Sequence, residues 1–463
     1  MDEKMRTGKS DNLKKIIIVG LIFAFIIAII VLFLPERLPG PQPEPAGKIV
    51  YVSSNGTGDF NCDGTDDQVE INEALAYAAE NPDLTTIHLQ GNSTYVISDT
   101  ILIGSNTILE GDSKADSAAI LKLEDEADWP LEKPLITQLA SSGNSNIIIR
   151  GFEIDGNHDN NTDRARGKGY YNLIDFLDSD NIKVYDMYMH DSHGDGLQTT
   201  RCSNIQFYNN TVYKLGHDAL YAIYSLNVEA WDNKITCRTN SGLRVYNTNH
   251  VKFYNNTINS EGEGGAGIQV QKDGASAVMD DIEIYNNLIY ETNSAGIWVT
   301  GYGSRYDKDT AKDVHIYDNK LYKTGIYQGS EGAGGIVLNG FQNTLIENNF
   351  INECHGAGIA HKTINGFKAP ESGYTTLVKN NIIINTESSQ AGGKGYGILN
   401  KLNRTHSFIL ENNCLSNNVA GDYMYANSTT DVNVEKGYVE KVMENEALRK
   451  EFPWRRALSA GPK

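Results

Sequence analysis

The chain has 463 residues and a formal charge of −19, from 40 Lys plus Arg against 59 Asp plus Glu. That balance argues against nucleic acid as a partner, and an acidic polymer would need a local basic patch to bind. Five cysteines (Cys62, Cys202, Cys237, Cys354 and Cys414) are odd in number and widely spaced, so a dense disulfide framework is excluded and buried thiols are expected.

In chain order, Arg6, Lys9, Lys14 and Lys15 precede an unbroken apolar run of 19 residues from Ile16 to Leu34. The run is long enough to cross a hydrocarbon core, and its basic flank predicts that residues 1–15 stay in the cytoplasm. No A-x-A site follows, so the run is read as an uncleaved single-pass anchor in the cell membrane, with the C-terminal domain extracellular. Residues 35–47 carry Pro35, Pro39, Pro41, Pro43 and Pro45 and read as a stiff extended spacer.

The stretch Asp59 to Glu70 fits a calcium loop at Asp59, Asn61, Asp63, Thr65 and Glu70, because alternating oxygen ligands suit a hard cation. Structural Ca2+ is one reading, and a metal-free capping segment is the other. Asp66 to Glu80 has early acidic residues and Val69, Ala74, Leu75 and Ala78 at helical spacing, which predicts a helix covering the first coil. Strands follow at 86–89 and 107–110.

From about Asn146 one phrase recurs, as in Asn204-Ile-Gln-Phe-Tyr-Asn and Asp281-Ile-Glu-Ile-Tyr-Asn. Copies start at Asn181, Asn204, Asn227 and His250, 23 residues apart, and later ones at intervals of 30 to 32. Apolar residues alternate with polar ones within each copy, the mark of short strands. Six positions after the start an Asn stands in eight copies: Asn210, Asn233, Asn256, Asn287, Asn319, Asn349, Asn381 and Asn413. Stacked at the strand spacing of ~4.8 Å, these amides would form a register-setting ladder. With neither helices nor hairpin turns between copies, the prediction is all-β: a single-stranded right-handed parallel β-helix of about ten coils over 48–430. Residues 431–463 read as a C-terminal helical cap or tail, with the helix at 435–452.

Aligning the copies sorts residues into columns. Nine positions before the start the column reads Asn172, Asp195, Asp218 and Ser241, with His193 and His217 beside the two aspartates. Aspartates on adjacent coils repel, which raises one pKa and leaves the other ionised, the split that acid–base chemistry needs. Turn capping is the alternative role. Three residues further the column reads Asp175, Gln198, Tyr221, Arg244, Gln269 and Trp298. It is expected to share the outward face of the aspartates and, with Tyr246, to form a sugar-binding wall. Tyr221 and Trp298 offer apolar ring faces, and Arg244 can pair with a carboxylate.

Asp63-Gly-Thr-Asp-Asp-Gln-Val-Glu-Ile-Asn-Glu-Ala-Leu and Ile108-Leu-Glu-Gly-Asp resemble the opening of the pectate-lyase-like β-helix superfamily. The Tyr-Asn-Asn coils and Met187-Tyr-Met-His-Asp-Ser-His-Gly-Asp-Gly are similar, more narrowly, to the disaggregatase-related β-helix proteins of methanogenic archaea. The resemblance implies cleavage of a chondroitin-like, uronate-containing matrix polysaccharide at the cell surface, and it assigns no catalytic residue. Together with the columns it leads to the expectation of a glycoside hydrolase, the columns supplying Asp195 and Asp218, assisted by His193 and His217, with Asn172, Asp175, Gln198, Tyr221, Arg244, Tyr246, Gln269 and Trp298 binding substrate. Hydrolysis would require no cofactor. The other readings are a polysaccharide lyase or uronate epimerase with a base such as His217, and a non-catalytic glycan-binding surface protein. A monomer or weak oligomer is expected.

Overall fold

The computed structural model describes residues 47–425, apart from 81–84, 113–116, 162–170, 275–277, 303–310, 327–333, 340, 362–375, 391 and 402–407. The anchor, the spacer up to residue 46 and the C-terminal helix expected at 435–452 lie outside the described residues. Among the described residues no helix is long and apolar enough to cross a membrane.

Each coil supplies one strand to each of three parallel sheets, of fourteen, twelve and twelve strands. One coil runs from Leu197–Thr200 in the third sheet through Ser203–Tyr208 in the first to Thr211–Tyr213 in the second. The twelve-stranded sheets correct the expected ten coils, because the early coils around Ser93–Ile97 and Ala119–Leu123 lack the repeated phrase. The interior is one apolar column built from alternate strand residues such as Ile182, Val184, Ile205, Phe207, Val228, Val251 and Phe253, all without solvent exposure.

The phrase Tyr-Asn-Asn has a separate physical role for each letter. The tyrosines, with one tryptophan, stack outside the first sheet: Tyr185, Tyr208, Trp231, Tyr254, Tyr285 and Tyr317 lie 4.3 to 5.7 Å apart with their planes within 9°. The next residue turns the chain in the left-handed region, where Asn and Asp are the non-glycine residues best tolerated; Asn209, Asn255 and Asn286 have φ of 53°, 55° and 54°. The last Asn points inward and forms the predicted ladder. Asn233 Oδ1 accepts from Asn210 N and Asn210 Nδ2 at 3.0 and 3.1 Å, and Asn233 Nδ2 donates to Phe207 O at 2.9 Å. The pattern repeats to Asn413.

A helix, α1 (Gln68–Ala79), packs on the first coils through Gln68, Ile71, Ala74, Leu75 and Ala78. Val69, expected on the buried side, is 49 % exposed and Ile71 takes its place, since Ile71, Ala74, Leu75 and Ala78 follow the i, i+3, i+4, i+7 spacing of one helical face and Val69 lies off it.

Candidate active site

Three structural columns converge where the second sheet turns into the third. The expected sugar-binding wall is real as a register: Asp175, Gln198, Tyr221, Arg244, Gln269 and Trp298 are cross-strand neighbours on six successive strands. Asp195 and Asp218 do not share its face. Both are completely buried in the turn ahead of the strand, behind the wall rather than on it, with Asp218 Oδ2 3.5 Å from Arg244.

The aspartate column works first as a capping ladder. Asn172 Oδ1 accepts from Asp195 N at 2.8 Å, Asp195 Oδ1 from Asp218 N at 2.7 Å, and Asp218 Oδ1 from Ser241 N at 2.7 Å. The turn-capping role is therefore present, and a second set of contacts is built on it. His217 Nδ1 lies 2.7 Å from Asp195 Oδ1 and 3.2 Å from Asp218 Oδ2. With its Nδ1–H held by carboxylates, the ring carries its lone pair on Nε2. There Asn240 Nδ2 sits at 3.0 Å, while donating to Asp218 Oδ2 at 3.0 Å.

Burial alone would lower the His217 pKa, but the carboxylates of Asp218 and Asp195 outweigh it and hold the imidazole above its ordinary value. Burial raises Asp218, against the opposing pull of His217 and Arg244. Asp195 Oδ2 is buried with no hydrogen-bond partner, an expensive arrangement of the kind stored at functional sites. Ligand-type atoms of Asp195, His217 and Asp218 lie within 4.8 Å of one another. Hydrogen bonds engage Asp195 Oδ1, His217 Nδ1 and Asp218 Oδ2, so the two carboxylates orient the imidazole.

Arg244 stacks over the Tyr221 ring at 4.3 Å, donates to Gln271 Oε1 at 2.7 Å and stands 3.5 Å from Asp218 Oδ2. Its guanidinium faces a cavity of about 310 Å³ together with His217, Asn240, Gln269, Gln271 and Trp298. Burial pushes the Tyr221 hydroxyl up to about 12. Asp175 accepts from Asn172 Nδ2 at 3.1 Å and Gln198 Nε2 at 3.3 Å, and burial raises its pKa to about 7 despite the Asn172 bond.

The remaining candidates lie apart. His193 packs its ring on His158 at 4.1 Å and Tyr171 at 5.3 Å. Tyr246 donates to Asp273 Oδ2 at 3.1 Å. Within the calcium-loop motif Asp59 accepts from Tyr51 N, Asn61 from Ser53 Oγ and Gly58 N, and Asp63 from Thr65. The ligand-type atoms that do meet nearby belong to Cys62, Asp67 and Glu70, and both Asp67 oxygens are taken by Gly64 N and Val96 N. Sequence reasoning missed Asn240 and Gln271. Asn240 stands 23 residues after His217, so the column just before the aspartates would have given it.

Comparison with known proteins places this geometry. Residues 279–457 match a family model described as "Disaggregatase related" and residues 136–258 one described as "Right handed beta helix region". No curated protein matches the chain. Among solved structures, the A-module of a mannuronan C-5 epimerase from Azotobacter vinelandii is similar over 82 % of this chain and 100 % of its own, with TM-score 0.61 and 17 % identity. The catalytic domain of an α-1,3-glucanase, in complex with tetrasaccharides, is similar over 87 % of this chain and 70 % of its own, at 0.58 and 18 %. PfbA, a surface adhesin of Streptococcus pneumoniae, is similar over 82 % and 93 %, at 0.55 and 13 %. Identities this low establish shared fold. Apart from Asn293, Ser294 and Trp298 at one end of the cavity, the site lies outside the disaggregatase-related match. The chain is a right-handed parallel β-helix protein with a disaggregatase-related segment at residues 279–457.

Proposed function

We propose that the chain is a carbohydrate-active enzyme that removes the C5 proton of a uronate in a polysaccharide, the step that opens β-elimination. The observation carrying this reading is that His217 reaches the cavity while Asp195 and Asp218 stand fully buried behind it. A hydrolase using the aspartate pair would need a carboxyl at the glycosidic oxygen. Here the carboxyls orient the imidazole and raise its basicity instead.

In the proposed reaction Arg244 pairs with the uronate carboxylate and stabilises the negative charge that develops on it. The neutral His217 ring takes the C5 proton on Nε2, which exchanges its hydrogen bond from Asn240 for the substrate. The C5–H electron pair becomes the C4=C5 double bond, and the C4–O bond breaks with its electrons going to the leaving oxygen, which is then protonated. Delivery of a different proton, from water, to the opposite face of C5 without C4–O cleavage would give an epimer, the first proton staying on His217. The polysaccharide epimerase and glucanase among the structural neighbours support a sugar-polymer substrate, and the adhesin keeps a purely binding role as the competing reading. The anchor read at residues 16–34 would hold this activity at the outer face of the cell membrane.

Incubation with uronate-containing glycosaminoglycans, followed by ultraviolet absorbance and reducing-end assay, tests the proposal. Elimination gives an absorbing unsaturated product. New reducing ends without absorbance would mean hydrolysis, and a polymer unchanged in both length and C5 configuration would mean binding alone.

A further inference from the structure

We infer that Arg238, braced by His158, is a second anion-binding position beside the catalytic centre, and that the polymer taken carries a further acidic group, carboxylate or sulfate ester, on a sugar close to the uronate held at Arg244. This rests on the reading of His217 and Arg244 given above.

Arg238 and Arg244 flank one turn of the coil, the turn that carries Asn240 and Ser241. The two residues after Arg238, Thr239 and Asn240, line the cavity, and Thr239 Oγ1 donates to the carbonyl of Gly216, the residue before His217. Arg238 itself reaches back toward earlier coils: its Nη1 donates to His158 Nε2 at 3.1 Å. Two turns lie between these residues in the stack, those carrying His193 and His217. The His158 ring rests on the ring of buried His193 at 4.1 Å, which fixes the brace.

The charge on Arg238 has no carboxylate bound to it. His158 accepts from Arg238 on Nε2, so its proton is on Nδ1, where Asp159 Oδ1 takes it at 2.9 Å. The ring is therefore neutral and stands between that carboxylate and the guanidinium. Arg238 Nε is buried with no partner, and Nη2 bonds no protein atom among the described residues. An arginine left this way lacks the acceptor that its planar fork suits. The neighbouring acids turn elsewhere: Glu261 and Glu263, on the coil after Arg238, pair with Lys214 on the coil before it at 2.8 and 3.9 Å. Arg244, by contrast, has Asp218 Oδ2 at 3.5 Å. In a chain of net charge −19 an acidic polymer needs local positive charge, and Arg238 supplies it uncompensated.

The test compares the full chain, Arg238→Gln and Arg238→Lys on unsulfated chondroitin, on chondroitin sulfate, which adds a sulfate ester, and on polygalacturonate, which carries a carboxylate on every ring. Steady-state kinetics and titration calorimetry are read for each, with circular dichroism as the check on folding. The wild type should favour one of the two more densely charged polymers over unsulfated chondroitin about tenfold in KM, and Arg238→Gln should remove that preference with kcat nearly unchanged. The polymer that loses its advantage identifies the group as sulfate or carboxylate. Arg238→Lys, which keeps the charge, should retain part of the preference. No preference in the wild type, an unchanged KM on every polymer in Arg238→Gln, or an equal loss on all three would overturn the inference, the last leaving Arg238 as a strap that positions the turn. If no polymer is turned over, the catalytic reading falls, and the presence or absence of the same preference in binding still decides this one.

Discussion

His217 is held by two carboxylates that never touch solvent, and its behaviour should show their influence. His217→Gln should lower kcat by ~10³-fold with a native fold, in the range usual for a lost acid–base group; the check is turnover together with circular dichroism. The base form is the neutral ring, so the acidic limb of kcat/KM should lie above the ordinary imidazole value, because the neighbouring carboxylates raise the pKa. Asp195→Asn removes one of those charges and should move that limb to lower pH, with a reduced maximum. A limb that stays put would show that Asp195 acts on structure alone. Arg244→Lys keeps the charge but loses the planar fork, and should raise KM about tenfold or more with a smaller effect on kcat. The aspartates and the wall were legible in sequence because identical spacing puts them in columns. Their relative orientation was not, because alternation of faces holds along a strand and fails across the turn that carries Asp195 and Asp218.

At the scale of the coil, two adjacent asparagines of one phrase should respond oppositely to substitution. Asn256 takes hydrogen bonds from Asn233 and gives them to Ala230 O and Asn287 Oδ1, fully buried. Asn256→Ala leaves buried donors and an acceptor unmet and should cost ~3 kcal/mol in chemical denaturation. Asn255, exposed with φ of 55°, should accept Gly within about 0.5 kcal/mol. The ladder could be anticipated because a polar residue repeated on an otherwise apolar period needs satisfied partners. The tyrosine stack and the left-handed corners could not, since tyrosine and asparagine are also ordinary on exposed strands and in turns.

For the whole molecule, coil number was underestimated where the early coils depart from the phrase, while the parallel β-helix followed from periodicity and its division into three sheets did not. Stability should also depend on pH through the same region. Asp175 has a folded pKa of about 7, above its unfolded value near 4, so the folded state holds the extra proton between those values. Its contribution is therefore favourable at low pH and lost as pH rises from about 4 to 7, and His217 acts in the same direction through its own raised pKa. Asp175→Asn should flatten the fall of Tm across that window, measured by calorimetry at constant ionic strength.

The central claim is that His217 exchanges a proton with a uronate carbon. Wild-type and His217→Gln protein can be incubated with a uronate-containing glycosaminoglycan in deuterium oxide, and the sugars followed by NMR and ultraviolet absorbance. The prediction is a C4=C5 product, or deuterium at C5, with the wild type and neither with the variant. Saturated products that carry no C5 deuterium, or equal activity in the two proteins, would contradict it.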